Sequence, residues 1–178
     1  MNDDEMRAML DETLRVQRAN AAYRKKRAPT PTPTLRAPVS VDDLAALEQH
    51  CAHVGIPLPP SFRQFLRISD GVPGYMQYVR MSLRSARDIV ESADSDEEEW
   101  DDYDPLHKFV IVSGDTTEFI AFDERSIDSA GEPAVVWVGL SGDETAYANF
   151  EDLLWSQREF QKDVLEGHIA DRGNLPDN

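Results

Sequence analysis

Cysteine occurs once in these 178 residues, at Cys51, so the chain cannot close a disulfide on itself, and a reducing compartment suits it. Long apolar runs are missing as well: none approaches the ~18 residues that a membrane-spanning helix requires. The opening MNDDEMRAML is acidic where a secretory leader carries a basic region and then an apolar one, which points to a cytoplasmic protein. Glycine never clusters into a phosphate-binding loop, and no serine sits in a nucleophile elbow. Four scattered histidines (His50, His53, His107, His168) and a single cysteine make no zinc framework. Catalysis is left without a recognisable centre, and the reading assigns no catalytic residue, no cofactor and no metal ligand. Positive charge is also scarce: 18 Lys and Arg against 34 Asp and Glu give a net charge of −16. That balance disfavours nucleic acid and anionic membrane as partners and favours cationic ones, although acidity also simply keeps a protein soluble.

What charge there is lies unevenly. Residues 1–38 hold eight bases and five acids, a net of +3, so the other 140 residues carry −19. The spacing predicts a helical arm over 1–27, with acids in its first turn and a thin apolar stripe of Met6, Met9, Leu10, Thr13, Leu14, Gln17 and Ala21. A stripe that thin must dock on the rest of the chain or on a partner. The arm closes on Arg24-Lys25-Lys26-Arg27. Cations there either suit a helix C-terminus or meet an acidic surface. A proline-rich linker, APTPTPTLRAP, follows over 28–38 and forbids a helix.

The main domain is read over 39–168, with a frayed tail at 169–178. Ser40 and Asp43 resemble a capping box, and Leu44, Leu47, Cys51 and Val54 form one buried stripe ending at Gly55. Cys51 lies on that stripe and reads as a core thiol. Pro59-Pro60 opens a second helix whose Phe62, Phe65, Leu66 and Ser69 share a side, and Asp70-Gly71 closes it. Strands are expected over Tyr75–Leu83, Lys108–Ser113, Glu118–Asp123, Ala134–Leu140 and Thr145–Ala148, with a helix from Ser85 to about Ala93 and a last helix from Asn149 to Gly167. Asp123, at a strand end, is a candidate carboxylate for catalysis but is the commoner kind of turn cap.

Residues 88–104 hold ten acids and no base. Like charges this dense resist packing, which makes a solvated segment one reading. The other is a docking surface, because Trp100 and Tyr103 interrupt the run as aromatic anchors inside a charged rim. The candidate interface is Asp94, Asp96, Glu97, Glu98, Glu99, Trp100, Asp101, Asp102, Tyr103 and Asp104. Its phase does not suit an EF-hand: counted from Asp94, the glycine position falls on Glu99 and the bidentate glutamate position on Pro105.

Over about residues 40–160 the chain resembles the SUKH superfamily. The likeness rests on Leu47-Glu48, Gly55, Leu58-Pro59, Phe62, Phe65-Leu66 and Asp70-Gly71 in that order, and later on Asn149-Phe150 before the closing helix. Residues 1–38 and the acidic run are outside the shared pattern. The resemblance implies an α+β fold: a mixed, largely antiparallel sheet packed by an N-terminal helix pair and a C-terminal helix, here with an extra helical arm. It implies structural roles for Leu58, Pro59, Phe62, Phe65, Leu66 and Gly71. It also implies a bacterial, non-catalytic immunity protein that neutralises a basic polymorphic toxin, with a nuclease as one candidate. A regulatory or scaffold module stays open beside it, with the arm as a tether or a route to a homo-oligomer.

Overall fold

The computed structural model describes residues 1–23, 33–76, 81–99, 109–113, 118–139 and 143–173. Five helices and six strands follow in the order α1 (Asp3–Tyr23), α2 (Val41–Val54), α3 (Pro60–Ile68), β1 (Val72–Met76), β2 (Met81–Leu83), α4 (Ala86–Glu99), β3 (Val110–Ser113), β4 (Phe119–Ile127), β5 (Pro133–Val138), β6 (Glu144–Tyr147) and α5 (Phe150–Gly173). The strands lie in chain order as one six-stranded sheet, and every pair is antiparallel. The α+β fold is therefore as expected, with a sheet wholly rather than largely antiparallel. Among the described residues α4 is the one α-helix set between neighbouring strands, on the connection from β2 to β3.

Alternation along the central strands makes two apolar faces. Ile120, Phe122 and Val135 join the main core under the helices, while Val110, Phe119, Ala121, Val136 and Val138 form a second buried cluster. This is why β5 reads as apolar on both faces. Phe62 of α3 is the hub of the main core. Its ring meets those of Phe65, Phe122 and Phe150 at 5.8, 5.4 and 5.0 Å, the last two edge-on, which suits the aromatic quadrupole. Leu58, Pro59, Phe65, Leu66 and Gly71 are buried around it.

α1 docks on its own chain. Met6, Met9, Leu10 and Leu14 are buried in the main core. Its buried polar residues are used too: the Asn20 amide donates to the backbone and side-chain oxygens of Gln161 on α5, and the Gln17 amide donates to the carbonyl of Tyr75 on the edge strand β1. Glu12 pairs with Arg158 and Lys162 of α5 at 3.4 and 3.2 Å. The basic run 24–27 lies outside the described residues.

Boundaries depart from the sequence reading in four places, the plainest being β4, which runs on past Asp123 to Ile127. Tyr75–Leu83 is not one strand: β1 and β2 are antiparallel neighbours, with an irregular register between Val72 and Met76. Pro73 and Gly74 sit in β1, and Gly74, with φ +64°, bends it. α4 runs on from Ala93 to Glu99, despite its acids. α5 passes Gly167 and reaches Gly173, because glycine inside a helix costs only ~1 kcal/mol and a long packed helix absorbs that. The expected frayed tail is thus helical over its first five residues.

Candidate functional site

Residues 88–99 of the acidic stretch lie on α4, whose N-terminal end is held by side-chain bonds. Ser85 and Asp88 form a reciprocal capping box: Asp88 N–H donates to Ser85 Oγ at 3.1 Å, and Ser85 N–H donates to Asp88 Oδ2 at 3.2 Å. A third free amide, Ala86 N–H, donates to Asp70 Oδ1 at 2.7 Å. Gly71, at φ +86°, passes so close to this junction that a Cβ there would lie 2.8 Å from Leu83 O and 2.9 Å from Ser85 N. The Asp70-Gly71 pair that closes α3 is therefore also the seat of α4.

Other elements brace the same end. Arg87 reaches Asp43 Oδ1 through Nε and Nη2 at 3.1 and 3.0 Å, tying α4 to the first turn of α2. Asp43 meanwhile accepts from Ser40 Oγ at 2.6 Å, and Ser40 Oγ accepts the Asp43 N–H. Arg36, from the stretch before α2, pairs with Asp88 at 3.3 Å. Arg84 Nη1 donates to Ser92 Oγ at 2.7 Å, and Ser92 Oγ donates to the Asp88 carbonyl at 2.7 Å. Ala86 and Ile89 are buried in the main core with Val90 packed beside them.

The carboxylates at this end differ in their proton affinity. Asp70 is raised above the usual range, first by burial and then by the nearby Asp43 and Asp88, against the pull of the Ala86 N–H. Burial also pushes Asp88 up, but hydrogen bonds from Ser85 and Arg36 outweigh it and leave Asp88 lowered. Asp43 is lowered by the Ser40 hydroxyl and then by Arg87.

The other end of α4 has the opposite character. Asp94, Asp96, Glu97, Glu98 and Glu99 all lie on the helix, and its last turn carries no base. Acids at a helix C-terminus meet the negative end of the macrodipole, each unfavourable by roughly 0.3–1 kcal/mol at low salt. Trp100, Asp101, Asp102, Tyr103 and Asp104 lie outside the described residues, so half of the expected interface is placed and half is not.

Two open grooves lie nearby. One, of ≈ 410 Å³, is lined by Arg36, Ser82, Arg84, Asp88, Glu91 and Ser92. Its serines are engaged: Ser82 Oγ accepts the Gly74 N–H at 2.8 Å, and Ser92 bridges Arg84 and the α4 backbone. The other, of ≈ 430 Å³, lies beside Cys51, Ala52, Pro57 and Leu58, with the Glu48–Arg63 ion pair at its rim. Cys51 is 1% exposed, and burial pushes its thiol up to about 12, so it is a core thiol rather than a nucleophile. Asp123 is held by Arg125: Nε and Nη2 donate to its two oxygens at 2.7 and 2.9 Å, and the Arg125 N–H adds a third bond. Those bonds lower it, so it stays ionised at a strand irregularity as the turn-cap reading expects. Among the described residues, no group of three or more His, Cys, Asp and Glu is gathered as metal ligands. No helix among them is long and apolar enough to cross a membrane.

Sequence reasoning misses two groups that build this region, the carboxylates of Asp70 and Glu132. Glu132, on the β4–β5 connection, accepts from Ser61 N–H and Ser61 Oγ at 2.7 Å each and so caps α3, whose own N-cap is Pro59.

One antiparallel sheet packed by helices, with α4 on the β2–β3 connection seated in the core through Ala86 and Ile89, defines an α+β domain. The model of the SMI1 / KNR4 family (SUKH-1) matches residues 38–155, and the chain belongs to that family. No curated protein matches the chain. The match leaves out α1 and all of α5 beyond residue 155.

Proposed function

We propose that this is a non-catalytic immunity protein, acting in the cytoplasm of a bacterial producer, that binds and neutralises a basic polymorphic toxin through α4 and the acidic residues after it. The family includes immunity proteins, which supports the class. The observation that carries the rest is the arrangement of α4, fixed at one end by a capping box, Asp70 and the arginines Arg36, Arg84 and Arg87, with a sequence of acids and no base in its last turn. A cationic partner relieves the repulsion among those acids and meets the negative end of the helix dipole. Nuclease toxins suit this chemistry, since sites that receive phosphates are basic.

The test is binding and growth rescue with the toxin domain encoded beside this gene. Wild type is compared with a chain carrying Asp96→Lys, Glu97→Lys, Glu98→Lys and Asp101→Lys. The reading expects affinity to fall at least roughly tenfold, with a flatter salt dependence. Unchanged affinity and unchanged salt dependence remove this surface. Binding without rescue of growth assigns the protein to regulation or scaffolding instead.

A further inference from the structure

The two edges of the sheet differ. β1 meets α1 at one point, where the Gln17 amide donates to the Tyr75 carbonyl. Among the described strands β6 pairs with β5 alone, and α5 packs beside it. Its backbone directions follow from one bond: Gly139 N–H donates to the Asp143 carbonyl at 2.9 Å, and these two residues are directly opposed in the β5–β6 register. Hydrogen-bonded pairs recur every second residue in an antiparallel ladder. Thr145 and Tyr147 therefore bond inward to Trp137 and Val135, and the N–H and C=O groups of Glu144 and Ala146 point away from the sheet. Glu144, Thr145 and Ala146 are exposed, and among the described residues no hydrogen bond is recorded to those outward groups. An edge of this kind is a template for one more strand.

The charge around it selects the occupant. Asp143, just before the strand, and Glu144, its first residue, are exposed, and Asp152 lies just beyond it, with Oδ2 accepting the Ala148 N–H at 3.0 Å. Arg125, whose charge reaches Glu144, is already bound at both oxygens of Asp123. Pairing β6 with β6 of a second copy would join two chains of net charge −16 along their acidic edges. We infer that β6 is a docking edge for an extended cationic segment of a protein partner, which adds as a seventh antiparallel strand. Alternation sets the sequence it takes. Glu144 and Ala146 share one face, where a Lys or Arg meets the carboxylate. Thr145 and Tyr147 share the other, which suits β-branched or aromatic residues. This surface is separate from α4 and stands whether or not the partner is a toxin.

The probe is a short capped peptide alternating lysine with valine and threonine, titrated into the full chain and followed by backbone-amide NMR. Saturable binding is expected below ~1 mM, with the largest shifts and new exchange protection at the Glu144 and Ala146 amides. Ala146→Pro removes an outward N–H and leaves the inward ladder intact, so the fold is retained and affinity falls roughly tenfold or more. The same peptide N-methylated at its edge-facing amides tests the wild-type chain without any mutation and should not bind. Full binding by Ala146→Pro or by the N-methylated peptide overturns the inference. So do Glu144 and Ala146 amides already protected in the free chain, no saturation by ~1 mM, or a dimer that Ala146→Pro abolishes, which would give the edge to a second copy. The α4 charge reversals leave this titration unchanged, so each surface fails or stands by its own variant.

Discussion

Asp70 Oδ1 accepts the Ala86 N–H at 2.7 Å, so the residue that ends one helix begins another. Asp70→Asn keeps an acceptor and sheds a charge that burial and two neighbouring carboxylates oppose. It is expected to be close to neutral by urea unfolding at pH 7, whereas Asp70→Ala, which leaves the amide unpaired, costs about 1–2 kcal/mol. The pH profile separates them further. A carboxyl raised in the fold stabilises as pH falls through its folded value toward its unfolded one, and that gain is lost on raising the pH. Asp88 and Asp123, lowered in the fold, act in the opposite sense and lose their contribution as pH falls through their folded values. Asp70→Asn removes the compensating member, so its stability should drop more steeply in acid than that of wild type.

Gly71 and Gly55 share a left-handed backbone, at φ +86° and +83°, and differ in surroundings. A Cβ at Gly55 meets nothing within 4 Å, while one at Gly71 runs into the backbone of residues 83–85. Gly55→Ala should cost about 1 kcal/mol, the conformational term alone. Gly71→Ala should cost at least about 2–3 kcal/mol, because backbone must move. Paired urea titrations give the comparison, and equal losses would show that the close approach has no energetic weight.

Cys51 should resist thiol reagents at pH 8 in the native chain and react only as fast as the chain opens. Its sign in stability is fixed as well. The unfolded thiol ionises near 8.5 and the folded one near 12, so native stability declines as pH rises above roughly 8.5. Cys51→Ala flattens that alkaline limb of the unfolding profile.

Glu132→Ala should destabilise by about 1–2 kcal/mol through α3. A double-mutant cycle with Ser61→Ala should show coupling, since both bonds run between the same two residues. Additive losses would mean that water replaces the cap.

The acids at the end of α4 should cost stability. Glu98→Lys and Glu99→Lys place cations at a helix C-terminus and should each raise stability by roughly 0.3–1 kcal/mol at low salt, an effect that fades as salt is added. Under the proposed function the same changes weaken the basic partner. A variant both less stable and unimpaired in binding would contradict both arguments.

The features legible in the sequence are those whose partner lies a few residues away. Ser40 and Asn149 cap their helices, and Gly55 ends its helix in the left-handed region. Phe62, Phe65 and Leu66 fall on the buried side because helical period decides it. Partners distant in the chain were not legible. Glu132 is 71 residues from Ser61, and Asp70 is 16 from Ala86; in sequence each is an ordinary turn acid. The split of Tyr75–Leu83 into two strands was hidden for a related reason, since aromatic and β-branched residues score as strand on both sides of a reversal. In α4 the repulsion of like charges was visible, and the anchoring that outweighs it was not. The sequence reading ends that helix near Ala93, whereas Asp94–Glu99 continue it.

The family-matched stretch begins at residue 38 and ends at 155, yet α1 lies before it and Gln161, Arg158 and Lys162 lie after it. The two flanking pieces bind each other across the matched region, so each is the other's shield from water. A chain trimmed to the match would lose both together and bare the core surface that Met6, Leu10 and Leu14 now cover. The packed unit thus reaches past the stretch that defines kinship at both ends.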